Sequence, residues 1–344
     1  MDTPAANETS PAGELRQGTD AIARTRLYRA GVLEKENFPV IEVSDYIGLP
    51  DCYVWIDLLD PDAPDLEIIA DELGLHQLAV ADALDTRQRP KLDRYRSHEF
   101  LNMYDVKLDH DTGELKMSEL SAFIAPTALV TVRKDDQFDI ENVTRRWDES
   151  PDLAHCGVGF LLYGLIDHIV DGHFAAVQDL DEEIEELEDM LFDDGTADDT
   201  LQRRSFALRK SLVILRRVVL PMREVVNSLM RRDLKLVGDE MVPYYQDVYD
   251  HVLRATEWTE SLRDLVTTIL ETNLTQQGNR LNVITKKVTS WAAIIAVPTA
   301  ITGWYGQNLP YPGFASTSGL ITSVLLITGI SVGLYWTFRR NDWL

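Results

Sequence analysis

Eight positions near the carboxy terminus, Asn282, Thr285, Thr289, Ala292, Ala296, Thr299, Gly303 and Gly306, follow one another in alternating steps of three and four residues. Each is small or carries a neutral oxygen, and Asn308 stands two places beyond the last. That spacing puts them on one face of a helix. Hydroxyl and amide oxygens in a line can accept hydrogen bonds from the waters around a cation. Neutral oxygens suit Mg2+, which gives up its hydration shell reluctantly. The chemistry indicated is passage of a hydrated divalent cation, with Asn308 offering a side-chain carbonyl at the mouth and Gly306 letting the backbone turn there. One helix encloses nothing, so several copies around an axis are required.

The same stripe has a second explanation, because small residues at this spacing let two membrane helices approach closely. Packing does not call for Asn282, Thr285, Thr289 and Thr299 on one line, however. Nor does it call for the register to continue backward through Gly278, Thr275, Glu271, Thr268, Asp264, Ser261 and Glu257 without an apolar residue. The remaining faces carry Val283, Ile284, Val288, Trp291, Ile294, Ile295, Val297 and Ile301, which suit lipid or a neighbouring helix.

A membrane helix must position such a stripe. Residues 288–304 hold no charge over about 17 residues, roughly 26 Å of helix, and residues 319–338 give a second apolar run of about 20. Arg280, Lys286 and Lys287 precede the first run and Arg339 and Arg340 follow the second, while the loop between is uncharged, so both ends face the cytoplasm. A buried soluble hairpin is the alternative. It does not account for cations at the outer ends or for Trp291, Trp304, Tyr305, Tyr335, Trp336 and Trp343 near the edges. The expected location is the cytoplasmic membrane, crossed twice.

Of 344 residues, most precede the first span and lie in water. The formal net charge of -24 opposes binding to nucleic acid and makes cations the natural partners. Two cysteines, Cys52 and Cys156, are too few and too far apart for a disulfide framework or a thiolate metal site. Residues 1–20 lack an apolar core and read as a disordered tail rather than a signal peptide.

The rest of the chain reads as α+β. Residues 21–150 form a cytoplasmic α/β domain, with strands expected at 52–58, 100–107, 120–124 and 129–133 and helices at 65–73 and 76–84. Residues 151–243 form a helical hairpin, one arm over 160–192 and its return over 200 to about 236, interrupted or bent near Pro221. The first arm carries a run of carboxylates around a stripe of Leu180, Ile184, Leu187 and Leu191; it reads as a solvated acidic face, since a metal cage needs fixed geometry. Residues 244–287 are a stalk helix continuous with the first span, 288–308, for a rod on the order of 90 Å. An external loop, 309–318, the second span, 319–338, and a basic tail, 339–344, complete the chain.

Several stretches together carry a family resemblance: Tyr305-Gly306-Gln307-Asn308, Gln88-Arg89-Pro90-Lys91, Pro221-Met222-Arg223-Glu224-Val225, Asp247-Val248-Tyr249-Asp250-His251 and the terminal Trp343-Leu344. The sequence resembles the CorA family of divalent metal ion transporters, whose signature Tyr-Gly-Met-Asn appears here with Gln307 in place of Met. The resemblance implies a homopentameric funnel whose stalk helices line a pore and whose selectivity filter is Gly306, Gln307 and Asn308. It also implies Asp82 and Glu271 as positions where cytoplasmic divalent ions bind between subunits. Mg2+ is then both cargo and regulator, with Co2+, Ni2+ and Zn2+ as further candidate ions. Three departures stand out: Gln307 itself, an external loop with no carboxylate, and Thr285 and Ala296 where the family has bulky apolar residues, which leaves Val288 as the candidate hydrophobic ring.

The alternatives are a Zn2+ transporter of the same family, a membrane-anchored enzyme, and a structural or sensor protein in which the hairpin is only an anchor. Against the enzyme stand the lack of a nucleophile elbow, a His-Glu-x-x-His pair or a glycine-rich phosphate loop, and seven scattered histidines.

Overall fold

The computed structural model describes residues 22–86, 88–192, 198–231, 236–307, 310, 312–314 and 316–344. The tail expected over 1–20, the residue Asn308 and parts of the loop 309–318 lie outside them. The chain divides into two units, Met1–Val266 and Thr267–Leu344.

In the first unit, β1 (Ile22–Arg29), β2 (Val32–Glu36), β3 (Cys52–Leu59), β4 (Lys91–Arg94), β5 (Glu99–Asp109), β6 (Glu114–Ala125) and β7 (Ala128–Arg133) build one sheet in the order β2-β1-β3-β7-β6-β5-β4. Only β3 and β7 pair in parallel, because the chain leaves β3 through α1 (Ala63–Leu73) and α2 (Gln77–Leu84) and returns after the meander β4 to β6. Side chains alternate across the sheet and feed two cores. Val54, Ile56, Leu58, Phe100, Phe123, Val130 and Val132 meet Leu66, Ile69, Ala79 and Ala83 from α1 and α2. On the other face, Tyr53, Trp55, Leu101, Met103, Leu120, Ala122 and Leu129 meet α3 (Ile140–Glu149) and the start of α4 (Val158–Phe192).

The four expected strands are present, and β1, β2 and β4 are additional. Their charges hid them. Arg26 of β1 reaches Asp148 of α3 at 2.8 Å, and Lys91 of β4 pairs with Asp82 and Asp93. Ala30 and Gly31 join β1 to β2 with φ of 49° and 79°, the left-handed pair that a two-residue hairpin requires.

α4 buries Leu180, Ile184, Leu187 and Leu191 as the stripe predicts, and Glu183 as well, which Arg204 holds at 2.7 Å. Its return partner is α5 (Asp198–Leu229). Of the interruption or bend expected near Pro221 the interruption is absent, and the helix ends at Leu229 rather than near 236. An interior proline costs about 3 kcal/mol. Here Val218, Val219, Met222, Val225 and Val226, all buried, outweigh that loss. Leu229 is the last of this buried series, and the chain tightens behind it, with the Arg231 amide donating to the Ser228 carbonyl.

His173 of α4 is fully buried and donates through Nε2 to the Tyr104 carbonyl at 2.7 Å, which leaves Nδ1 without a partner among the described residues. Burial pushes this imidazole down to about 4. It is neutral in the fold and takes a proton in the unfolded chain below its ordinary value near 6.5. Stability therefore falls as pH drops from roughly 6.5 to 4, by about 3 kcal/mol from this residue alone. Urea unfolding of His173→Gln should show a flatter dependence on pH over that window than the parent; parallel curves would remove the assignment.

α6 (Val242–Tyr305) is continuous through Pro298. Within the first unit it docks by Tyr245, Val248, Val252, Ala255, Leu262 and Val266, all buried at helical spacing, and the Tyr245 hydroxyl donates to the Gly159 carbonyl at 2.9 Å. The second unit holds the remainder of α6 and α7 (Thr317–Arg340). Ser316 caps α7 by accepting from the Gly319 amide, and Arg339 and Arg340 stand at its carboxy end, where cations complement the helix dipole.

Candidate ion pathway and cation sites

Two described helices are long and apolar enough to cross a membrane, α4 and α7, and burial separates them. The apolar window of α4 is 61% buried, which makes it a core helix; that of α7 is 6% buried. The 288–304 stretch of α6 falls outside that pair. Its Thr, Ser, Gly and Pro residues dilute the apolar ones, and several of the diluting residues are those of the stripe.

Asn282, Thr285, Val288, Thr289, Ala292, Ala296, Thr299, Gly303, Gly306 and Gln307 are all exposed in the single chain. Ser290 is buried, and Ile294, Val297, Ile301 and Tyr305 are half-buried. At 100° per residue the centres of these two stripes lie about 160° apart around the helix. A narrow stripe of α6 is therefore covered within the chain, and the rest of its surface, the polar stripe opposite and the apolar flanks at Ile284, Trp291, Ile295 and Trp304, is left open. α7 carries a half-buried stripe of its own at Ser323, Ile327, Ser331, Leu334 and Phe338.

Smallness along the open face is not demanded by the chain itself. A Cβ added at Gly303 would meet nothing within 4 Å. The Thr299 hydroxyl donates to the Ile295 carbonyl at 3.1 Å, which commits its proton to the helix and leaves its lone pairs as acceptors. At Gly306 the helix passes into a turn: its amide closes on the Thr302 carbonyl at 2.9 Å, its φ is not positive, and an added Cβ would make a tight contact, 3.1 Å, with that carbonyl oxygen.

Asp82 and Glu271 belong to separate units. Glu271 is exposed on α6, and its carbonyl accepts from the Thr275 hydroxyl at 2.9 Å. Asp82 is not a free carboxylate, since Lys91 Nζ donates to its Oδ2 at 2.6 Å. Burial works against the Lys91 charge, but hydrogen bonds to Asp82 and Asp93 hold the ammonium above its ordinary value. Reading the sequence placed Lys91 in a motif without giving it a role. Its position nine residues after Asp82, across a helix-to-strand turn, was the available signal.

A family model described as a CorA-like Mg2+ transporter protein matches residues 51–340. The chain belongs to the CorA-like Mg2+ transporter family. The cobalt/magnesium transport protein CorA of Thermotoga maritima is 30% identical to it over 294 residues, 84% of this chain and 83% of that protein. The complete CorA magnesium transporter from Methanocaldococcus jannaschii has the same fold, with a TM-score of 0.76 at 24% identity, over 94% of this chain and 99% of that one. A zinc transport protein, ZntB of Yersinia enterocolitica, is 21% identical over 335 residues, 97% of this chain and 99% of that protein. Membership of the CorA-like family makes the chain a membrane transporter of divalent cations.

Proposed function

We propose that this CorA-like chain conducts hydrated Mg2+ as a homopentamer, with the open stripe of α6 from Asn282 to Gly306 lining the path and Gly306, Gln307 and Asn308 selecting at its outer end. Co2+ and Ni2+ are secondary cargo, and both termini lie in the cytoplasm. The observation that carries the reading is the stripe itself: exposed oxygens and small residues opposite a covered face, on an otherwise apolar helix. Neutral oxygens can hold a hydrated ion without stripping it, and Val288 at the inner end supplies the one apolar ring. A cation entering a negative interior gains about 2.3 kcal/mol per charge per 100 mV, so inward flux needs no nucleotide.

Flux of Mg2+, Co2+ and Zn2+ into vesicles holding the purified protein tests this. Mg2+ and Co2+ should pass, and Asn308→Ala should remove the discrimination between ions. Preferential Zn2+ flux would favour the zinc relative's activity, and no divalent flux at all would favour a sensor role.

Internal Mg2+ acts, in this proposal, by bridging Asp82 and Glu271 between subunits and holding the path closed. Its loss leaves like charges to repel one another. The ion pair of Asp82 with Lys91 adds a requirement: the ammonium must leave before a divalent cation binds. Asp82→Ala with Glu271→Ala should weaken inhibition by internal Mg2+, whereas Lys91→Met should lower the Mg2+ concentration that inhibits. Identical inhibition curves for all three proteins would remove the sensing assignment without touching the path.

A further inference from the structure

Outside the ion path, one group of side chains has the composition of a transition-metal site. His155 and Cys156 end the short helical turn Pro151–Cys156 that leads into α4, and Glu240 lies on the turn before α6. His155 Nε2 is 2.6 Å from Glu240 Oε2, and Cys156 Sγ is 3.7 Å from each of those atoms. The three potential ligand atoms lie within 4.8 Å of one another.

The surrounding backbone is closely packed. A Cβ at Gly31 would lie 2.8 Å from the His155 amide nitrogen, so the β1–β2 turn sits directly on this segment. Gly159 makes a similarly close approach to the Leu236 carbonyl oxygen, and Met241, next to Glu240, is fully buried. His155 Nδ1 is 2.7 Å from the Asp152 carbonyl oxygen, to which it can only donate, so Nε2 is the atom turned to the site. A carbonyl behind the ring is the usual device that orients a ligating imidazole.

We propose that His155, Cys156 and Glu240 bind one borderline divalent transition metal, Zn2+ or Co2+, at a site separate from the Mg2+ path. Ordinary bond lengths of about 2.0 to 2.3 Å place tetrahedral ligand pairs about 3.3 to 3.6 Å apart. The two sulfur distances already fit, and the exposed Glu240 carboxylate has only to open by under about 1 Å from the imidazole. Thiolate, imidazole and carboxylate together select Zn2+ or Co2+ over Mg2+, which prefers oxygen ligands and its own waters. A water completes the fourth position. The sequence reading set a thiolate site aside because it counted cysteines; one thiolate joined by a histidine and a distant carboxylate escapes that count.

Co2+ titration of the detergent-solubilised full-length protein tests the site by absorption. A thiolate-to-cobalt charge-transfer band should grow to one equivalent per chain and persist in a hundredfold excess of Mg2+. Cys156→Ser should lose the band, and Cys52→Ser, altered in the opposite core, should keep it. Glu240→Gln, a change on an exposed turn, should loosen Co2+ at least about tenfold. No band in the parent, a band that survives Cys156→Ser, displacement by equimolar Mg2+, or unchanged Co2+ affinity in Glu240→Gln would each overturn the proposal.

Discussion

Replacing Thr299 by Val should lower Mg2+ flux at least about 100-fold, while Thr302→Val, three residues on, should leave it near the parent value. Both substitutions keep a β-branched side chain of similar shape, so helix geometry is preserved and only a hydroxyl is lost. Both hydroxyls also bond to the helix: Thr299 to the Ile295 carbonyl, Thr302 to the Pro298 carbonyl at 2.8 Å. They differ in direction, since Thr302 lies about 100° from the centre of the open stripe. If five copies of Thr299 ring the path, each lost acceptor costs a passing hydrated ion roughly 0.5 to 1 kcal/mol, and the ring several. Every 1.36 kcal/mol of barrier is tenfold in rate. Flux measured in reconstituted vesicles decides between the two roles of the stripe. Equal losses in both variants, or none in either, would mean that the stripe packs helices and does not meet ions.

The stripe was legible in the sequence because polar residues at alternating spacings of three and four contrast with an apolar helix. The structure adds what spacing alone does not hold, namely that the covered part of this helix is a narrow stripe on the side away from these residues. The central strands were legible for a similar reason, since β3 and β7 are buried along almost their whole length. Edge strands were not. In β4, Lys91-Leu92-Asp93-Arg94 shows three charges in four residues, and the Lys91 charge meets Asp82 only once the fold sets α2 beside this strand. The interruption allowed for at Pro221 is absent, because local propensity has no knowledge of the apolar residues around it. The cation sites divide the same way. Asp82 and Glu271 were candidates through the family resemblance, but the ion pair of Asp82 with Lys91 and the meeting of His155 and Cys156 with Glu240, 84 or 85 residues further along the chain, arise from packing.

The largest stability effect should come from Arg133→Met, which is expected to cost about 3 to 5 kcal/mol. Arg133 and Asp57 sit inside the parallel β3–β7 pair, 5% and 0% exposed. The guanidinium donates through Nε at 3.1 Å and through a terminal nitrogen at 2.6 Å; the Thr131 hydroxyl gives the same carboxylate a further bond at 2.7 Å and itself accepts from Trp55 Nε1 at 3.2 Å. Removing the cation strands a carboxylate where water cannot reach it, and the penalty is that of an uncompensated charge rather than of one lost bond. The double change Asp57→Leu with Arg133→Met removes both charges and should recover most of the loss, because a buried ion pair is often no more stabilising than well-packed apolar groups. Urea unfolding followed by tryptophan fluorescence reads this well, since Trp55 lies edge-on against Trp147 with ring centres 5.0 Å apart. A double variant as unstable as Arg133→Met would mean that the pair is needed for the shape and hydrogen bonds it gives the sheet. Recovery would mean that its charges only answer one another, and that the strands carrying Trp55 and Thr131 are held by their apolar faces.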